Sequence, residues 1–497
     1  MPLTTVEPPK TRTAFPATFW IANVMELFER AAYYGLQSVM AVYLTTTVAE
    51  GGLGFAKQSV GFLQGVVYAL TYVLPILGGA LADRYGYRRM LMLAFSLLAA
   101  GYFAAGYSST YAIVFLALLV MATGAGLFKP IISGTIARTT DETNSAFGFG
   151  LYYWAINLGA FLSPLAVSVL KGFSWRYVFI ASACYTGLML LPAVFLFKEP
   201  PRPASTKRLR DVLVGATEVL GDARFMLMIV IYSGFWILYF QQFGSILWYL
   251  GAFIDRTPVS QGVTAALHAV GLPWTFVFDA EHVTVIDAGM IILLQVLVSR
   301  IVKNWAALPT MITGMVFGGL GFTLLALSQN AWVFVMWIAV FAIGEMTAHP
   351  KYYSFVGLVA PADRKAVYMG YAFLYGVFGA LLGANIGAFL YERLLTPVVG
   401  VAGSEGTIRL YWLIFVGIDA VAAAGLWLFA RRLGQDNAET RARARVVMNV
   451  VYVLLALLGA FFLYVALSAS PVDYKSIIQA LIFLALGVGG LFMNRRG

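Results

Sequence analysis

A helix needs about 20 mostly apolar residues to cross the hydrocarbon core of a bilayer. This chain offers fourteen such runs in succession, at 15–46, 58–82, 89–107, 110–137, 147–170, 175–197, 225–252, 284–303, 307–328, 331–359, 366–393, 408–431, 447–468 and 474–493. That repetition leaves little choice of architecture: the chain is an all-α protein that lives in a lipid bilayer. Composition agrees. Of 497 residues, 61% are hydrophobic and 11% charged, too little polar surface to clothe a water-soluble globule. A disordered chain, a collagen-like repeat and a nucleic-acid-binding module are excluded. The single cysteine, Cys184, excludes an intramolecular disulfide framework and any multi-cysteine metal site. The first 13 residues are polar and proline-broken and do not read as a removable signal peptide.

Placing the N-terminus in the cytoplasm puts 23 of the 33 Lys and Arg residues in inner loops and 7 in outer ones. This is the asymmetry expected of an inner-membrane protein with both termini cytoplasmic. The basic, proline-containing stretch 198–224 separates six runs (14–197) from six more (225–432). Its 208–220 portion reads as an amphipathic helix on the inner leaflet. A charged linker, 433–446, leads to a final hairpin, 447–495. Six plus six is the layout of a two-bundle carrier with a mid-membrane substrate site. The external segment 253–283 reads as a solvated loop.

Charges inside spans are costly and therefore functional candidates. In span 1, Glu26, Glu29, Arg30, Tyr33 and Tyr34 share one arc of the helix. Spacings of three and four let Glu26 reach both Glu29 and Arg30. Two acids sharing one guanidinium out of water cannot both stay ionised at low cost, so one of them is expected to accept a proton. The alternative is a structural ion pair at a seam. In span 4, Pro130 is expected to kink the helix beside Lys129. That lysine either lines a cavity or snorkels to the inner surface. In span 10, Glu345 lies near mid-membrane with His349 one turn on, a carboxylate–imidazole pair able to hold a cation or relay a proton. Lys351 reads as snorkelling. Asp419 is isolated in span 12, either paired with a distant base or neutral. Asn157 serves either a ligand or a bond between helices, next to Gly159, which permits close packing.

The run Gly79-Ala80-Leu81-Ala82-Asp83-Arg84-Tyr85-Gly86-Tyr87-Arg88-Arg89 resembles the cytoplasmic loop signature of the major facilitator superfamily. The resemblance implies a major-facilitator-type fold of two six-helix bundles, here with a C-terminal two-helix hairpin. It also implies a breakable charge latch formed by Gly79, Asp83, Arg84, Gly86, Arg88 and Arg89. Within that superfamily the chain resembles the proton-dependent oligopeptide transporter (POT) family. The residues that carry the likeness are Glu26-x-x-Glu29-Arg30-x-x-Tyr33-Tyr34-Gly35, Phe128-Lys129-Pro130 and Phe149-x-x-Tyr152-Tyr153-Trp154-x-Ile156-Asn157-Leu158-Gly159, with Gly344-Glu345-Met346 further on. That likeness implies a proton-coupled symporter importing di- and tripeptides by alternating access. Arg30 and Lys129 would hold the peptide carboxylate, Glu345 the amino end, and Asn157 and Tyr33 the backbone; Tyr34, Gln241 and His349 complete the candidate substrate-binding set. Glu26, Glu29 and Glu345 would couple protons. The chain departs from the family at Ala31, Ile131 and Ala372, and Gln241 stands where the family carries a glutamate. The rival reading keeps the fold with another cargo, such as nitrate, an organic anion or a drug, possibly exported. No cofactor is expected, and no enzyme motif (HExxH, GxSxG, CxxC) occurs. The partners are a small solute, protons and lipid, with a monomer as the default state and no nucleic acid.

Overall fold

The computed structural model describes residues 14–141, 144–200, 209–361, 364–468 and 474–496. Among them there is no β-strand, and all fourteen apolar runs are helical. In chain order the helices are α1 (Ala17–Thr45), α2 (Lys57–Tyr85), α3 (Tyr87–Tyr107), α4 (Tyr111–Arg138), α5 (Ser145–Phe173), α6 (Trp175–Leu188), α7 (Leu190–Phe195), α8 (Leu209–Gly221), α9 (Ala223–Tyr239) and α10 (Ser245–Phe253). They continue with α11 (Thr257–Ala269), α12 (Glu281–Val302), α13 (Ala307–Leu327), α14 (Ala331–Val359), α15 (Lys365–Tyr371), α16 (Leu374–Leu390), α17 (Glu405–Arg432), α18 (Ala438–Ser468) and α19 (Tyr474–Arg496). Among the described residues thirteen helical segments are long and apolar enough to cross a membrane without help. The remaining long helix is α1, which carries Glu26, Glu29 and Arg30.

The chain divides into two compact units. The first comprises Met1–Leu36 and Leu74–Arg208. In it α3 packs along α4 and α6, and α5 meets α4 and α6. The second comprises Gln37–Val73 and Leu209–Gly497. There α13 lies along α14 and α17, α9 along α16 and α17, and α12 along α14. Side chains such as Leu116, Val169, Leu293, Val421 and Leu454 remain exposed, as a lipid-facing surface requires.

Helix contact in lipid depends on small residues that let backbones approach. A Cβ placed on Gly344 would sit 2.6 Å from the carbonyl oxygen of Gly314, so α13 and α14 touch just before Glu345. Proline inside these helices frees carbonyls. Pro350 leaves the Met346 oxygen without its helical donor, and the Gln295 amide of α12 reaches it at 3.5 Å.

One segment differs from the sequence reading, and a second, the helix expected over 208–220, is present. The external stretch 253–283 is not a plain loop, because it contains α11, with a proline in its first turn. The segment that follows α11 is tied down: Ser260 Oγ accepts from the Phe278 N–H at 2.9 Å and Thr264 Oγ1 from the Phe276 N–H at 2.9 Å. Phe278 is fully buried. The stretch 208–220 is helical from Leu209, and α8 packs against α15 and α19. The side chains of 209–213 and all of Arg208 lie outside the described residues. The final hairpin belongs to the second unit. Ile482 and Leu486 of α19 pack on Ala69 of α2 and on Val377 and Leu381 of α16.

Candidate functional site

In the first unit the site is built on one turn of α1. Arg30 Nε lies 2.5 Å from Glu29 Oε2 and 3.6 Å from Glu26 Oε1. Glu26 and Glu29 are buried, and Arg30 is 8% exposed. The guanidinium sits 4.9 Å from the Tyr33 ring centroid and 5.9 Å from that of Tyr34, so both aromatic rings back the charge. Lys129 of α4 is half-buried and within electrostatic reach of Arg30, Glu26 and Glu29. These four groups therefore form one cluster of two acids and two bases, which charge pairing makes tolerable in an apolar surround. Of the two readings open for Lys129, the geometry brings it to the acids.

Two tyrosines that sequence reasoning did not place in the site belong to it. The Tyr152 hydroxyl of α5 hydrogen-bonds to Glu26. Tyr102 of α3 is fully buried beside Glu29, Arg30 and Tyr33, and its hydroxyl has no hydrogen-bond partner. Tyr152 falls within the span-5 motif and was within reach of sequence reasoning, whereas Tyr102 carries no local signal. Asn157 is buried, and its amide donates to its own helix, at the Tyr153 carbonyl, at 2.9 Å. Gly159 does permit close packing. A Cβ there would lie 2.7 Å from the Leu27 oxygen, 2.9 Å from the Ala31 nitrogen and 3.1 Å from Arg30 Cβ. Helix α5 thus presses against the turn of α1 that carries Arg30.

In the second unit Glu345 of α14 is half-buried and faces Asp287 of α12 closely enough for the two carboxylates to interact. His349 packs edge-on against Trp236, Tyr353 and Tyr375, with ring centroids 4.9, 5.0 and 5.6 Å away. Asp287, missed in the sequence, is therefore the carboxyl partner of Glu345. Asp419 is buried against Gly319 of α13, where a Cβ would lie 2.9 Å from Oδ2. Lys351 donates to the carbonyls of Trp305 at 2.8 Å and Lys303 at 3.2 Å, caught by a helix end.

Gln241 lies where α9 breaks into a short 3₁₀ turn, Phe240–Phe243, before α10. It is 1% exposed. Its amide donates to the carbonyls of Ile237 at 2.7 Å and Gly383 at 2.9 Å, and its oxygen accepts from Ser245 Oγ. Both donors are spent on backbone, so Gln241 ties the break in α9 to α16.

At the α2–α3 corner the charge partner of Asp83 is Arg138 of α4, at 2.8 Å, a residue absent from the sequence motif. Tyr87 lies under Arg138, with the guanidinium 4.5 Å from its ring centroid. Arg88 instead donates to the Val194 carbonyl, and Arg84 stacks on Tyr85 at 5.3 Å. Gly86 has φ 96°, which allows the tight corner, and Gly79 lies one turn before Asp83 on α2. Arg89 is exposed.

A family model described as Major Facilitator Superfamily matches residues 20–278. "Dipeptide and tripeptide permease A" of Citrobacter koseri is 35% identical over 187 residues, 37% of this chain and 36% of that protein. "Uncharacterized transporter YclF" of Bacillus subtilis is 31% identical over 173 residues, 34% of this chain and 35% of that protein. The match thus spans about a third of the length of these curated relatives. Among solved structures, a peptide transporter POT in complex with sulfate superposes with a TM-score of 0.68 at 19% identity, over 84% of this chain and 95% of that one. A POT family transporter in complex with 5-aminolevulinic acid gives 0.67 at 20% identity, over 85% and 98%. The matched half of the sequence and the shared fold place the protein in a class of transporters rather than enzymes: the chain belongs to the Major Facilitator Superfamily, with the fold of POT transporters.

Proposed function

We propose that the protein is a proton-coupled symporter that imports small peptides by alternating access. The observation that carries this reading is the charge cluster of Glu26, Glu29, Arg30 and Lys129, in a chain whose relatives include a dipeptide and tripeptide permease. Arg30 and Lys129 are suited to a peptide carboxylate, with Tyr33, Tyr34 and Asn157 beside them. Glu345 suits the amino end, with His349 below it. Protonation of Glu26 or Glu29 loosens its hold on Arg30, and that is the step by which an inward proton gradient drives uptake. The corner Asp83–Arg138 pair acts as the latch, with Gly79, Arg84, Gly86, Arg88 and Arg89 shaping it. The domains proposed are bundles 14–197 and 225–432, the linkers between and after them, and the hairpin 447–495. Both termini lie in the cytoplasm of a monomer in the inner membrane, as the charge bias of the loops supports.

The test is dipeptide uptake into proteoliposomes with and without an imposed pH gradient. Accumulation that needs an acidic exterior is the expected result; uptake indifferent to the gradient removes the coupling. A second reading, another small solute such as nitrate, an organic anion or a drug, is favoured by the neutral Gln241 where the family carries an acid. Transport of such a solute that di- and tripeptides leave untouched would select it.

A further inference from the structure

Asp287 and Glu345 form a second carboxyl centre, remote in sequence from the acids of α1. Asp287 is 8% exposed, and its Oδ1 has no hydrogen-bond partner. Oε2 of Glu345 also has none. The packing fixes their meeting: one turn beyond Asp287, Ile291 of α12 packs with Ala342 and Met346, which flank Glu345 on α14. A further polar group lies beside the same place. Tyr232 of α9 is fully buried and interacts electrostatically with Glu345.

Among the described residues of the second unit, the helices around this pair hold their cations elsewhere. On α12 the ionisable neighbours are Glu281 and His282, and Arg300 is thirteen residues away, about 20 Å along the helix. Helix α13 carries no ionisable side chain. On α14 the neighbours are His349 and Tyr353, while Lys351 is held by the Trp305 and Lys303 carbonyls. Helix α9 supplies Tyr232; its Arg224 binds the Leu433 and Gly434 carbonyls. Helix α16 adds Tyr375 beside His349. Helix α17 adds only Asp419 near its middle, with Arg409, Arg431 and Arg432 at its ends. Two carboxylates close enough to interact in a largely apolar surround repel each other, and one proton between them relieves that.

We propose that Asp287 and Glu345 hold one exchangeable proton between them, so that the second unit carries a proton site of its own. Bearing that proton, the pair presents a single negative charge, the complement of one ammonium group. The proposal deepens the symporter reading and rests on it. It also gives the chain an acid in place of the one that Gln241 cannot be.

The test is infrared difference spectroscopy of the full-length protein in liposomes, without substrate, between mildly acidic and alkaline pH. A carboxylic-acid C=O band is expected to titrate in the wild type, to move in frequency and titrate at lower pH in both Asp287→Asn and Glu345→Gln, where the repelling neighbour is gone, and to stay unchanged in Asp419→Asn. Asp287→Glu is expected to keep it, which holds the test open should Asp287→Asn fail to fold. A band unchanged in Asp287→Asn, or no titrating band beyond that of Asp419, overturns the proposal. Because no substrate is present, the spectra stand apart from peptide transport: the band present without peptide uptake removes the cargo assignment alone. In transport, Asp287→Asn is expected to lower gradient-driven accumulation about tenfold or more, with Asp287→Glu restoring it. Accumulation equal to wild type in Asp287→Asn is the contrary result.

Discussion

Replacing Gln241 with glutamate would install an acid at the break in α9, and the structure says the fold will resist it. The amide donates at 2.7 Å to Ile237 and at 2.9 Å to Gly383 while accepting from Ser245. A protonated glutamic acid keeps one donor, so one of the two bonds is lost. Each side-chain hydrogen bond lost to a helix carbonyl costs about 0.5–1.5 kcal/mol. An ionised glutamate keeps no donor and faces two carbonyl oxygens, which loses both bonds, about 1–3 kcal/mol, before any repulsion is added. Gln241→Met, of similar length and without donors, should also lose both bonds but adds no charge. The assay is apparent melting of the detergent-purified protein, with chromatographic monodispersity as a fold check. The expected order is wild type, then Gln241→Met, then Gln241→Glu at neutral pH. Gln241→Glu melting at or above wild type, with stronger gradient-driven uptake, would refute the clasp and make position 241 part of the proton path.

Three further outcomes follow from the geometry. Gly159→Ala must separate α5 from the Arg30 turn of α1, because its methyl would lie under 3.0 Å from backbone atoms; overpacking of this kind costs about 1–3 kcal/mol, so melting and substrate affinity should both fall. Gly150→Ala on the same helix meets nothing within 4 Å and should be neutral to slightly stabilising, and equal behaviour of the two variants would contradict the seam. Tyr102→Phe removes a buried hydroxyl that has no partner, so melting without substrate should not fall; a marked loss of stability would show that the hydroxyl is satisfied. In the linker between α17 and α18, Asp436 accepts from Arg441 at 2.7 and 2.8 Å, bonds that hold its carboxyl below the usual aspartate range. Its contribution is therefore complete above about pH 4 and lost as pH falls through the depressed value; because the pair is partly exposed, Asp436→Asn should cost about 0–1 kcal/mol at pH 7, and a large loss would contradict a surface clasp.

How much of this was legible beforehand depended on contrast. A charge in an apolar run stands out, so Glu26, Glu29, Arg30, Lys129 and Glu345 were visible, and helical periodicity put the first three on one face. Asp287 was hidden because it lies three residues inside the apolar run that starts at 284, where an acid looks like the membrane surface. Helix α12 begins earlier, at Glu281, and its Ile291, one turn beyond Asp287, packs against α14. Tyr102 is one of many aromatic residues in apolar helices, and only tertiary packing sets it beside Glu29. Arg138 sits at the end of α4, where positive-inside anchoring already accounted for it, so its pairing with Asp83 needed coordinates. The helix α11 did leave a trace, the row Val259, Val263, Leu267 after Pro258, which the surrounding polar residues obscured. Gln241 was noticed for what it lacks, whereas its three hydrogen bonds come from a break in α9 that apolar periodicity cannot locate.

The central claim of the proposed function is that Lys129 takes the carboxylate of a peptide and that Glu345 takes its amino group. Isothermal calorimetry of the purified protein against a dipeptide, its C-terminal amide and its N-acetyl form tests this directly, in wild type and in Lys129→Ala and Glu345→Gln. The account predicts that amidation weakens binding to wild type but makes no difference in Lys129→Ala, and that acetylation weakens binding to wild type but makes no difference in Glu345→Gln. Equal affinity of wild type for all three ligands, or penalties that survive in the matching variants, would contradict it.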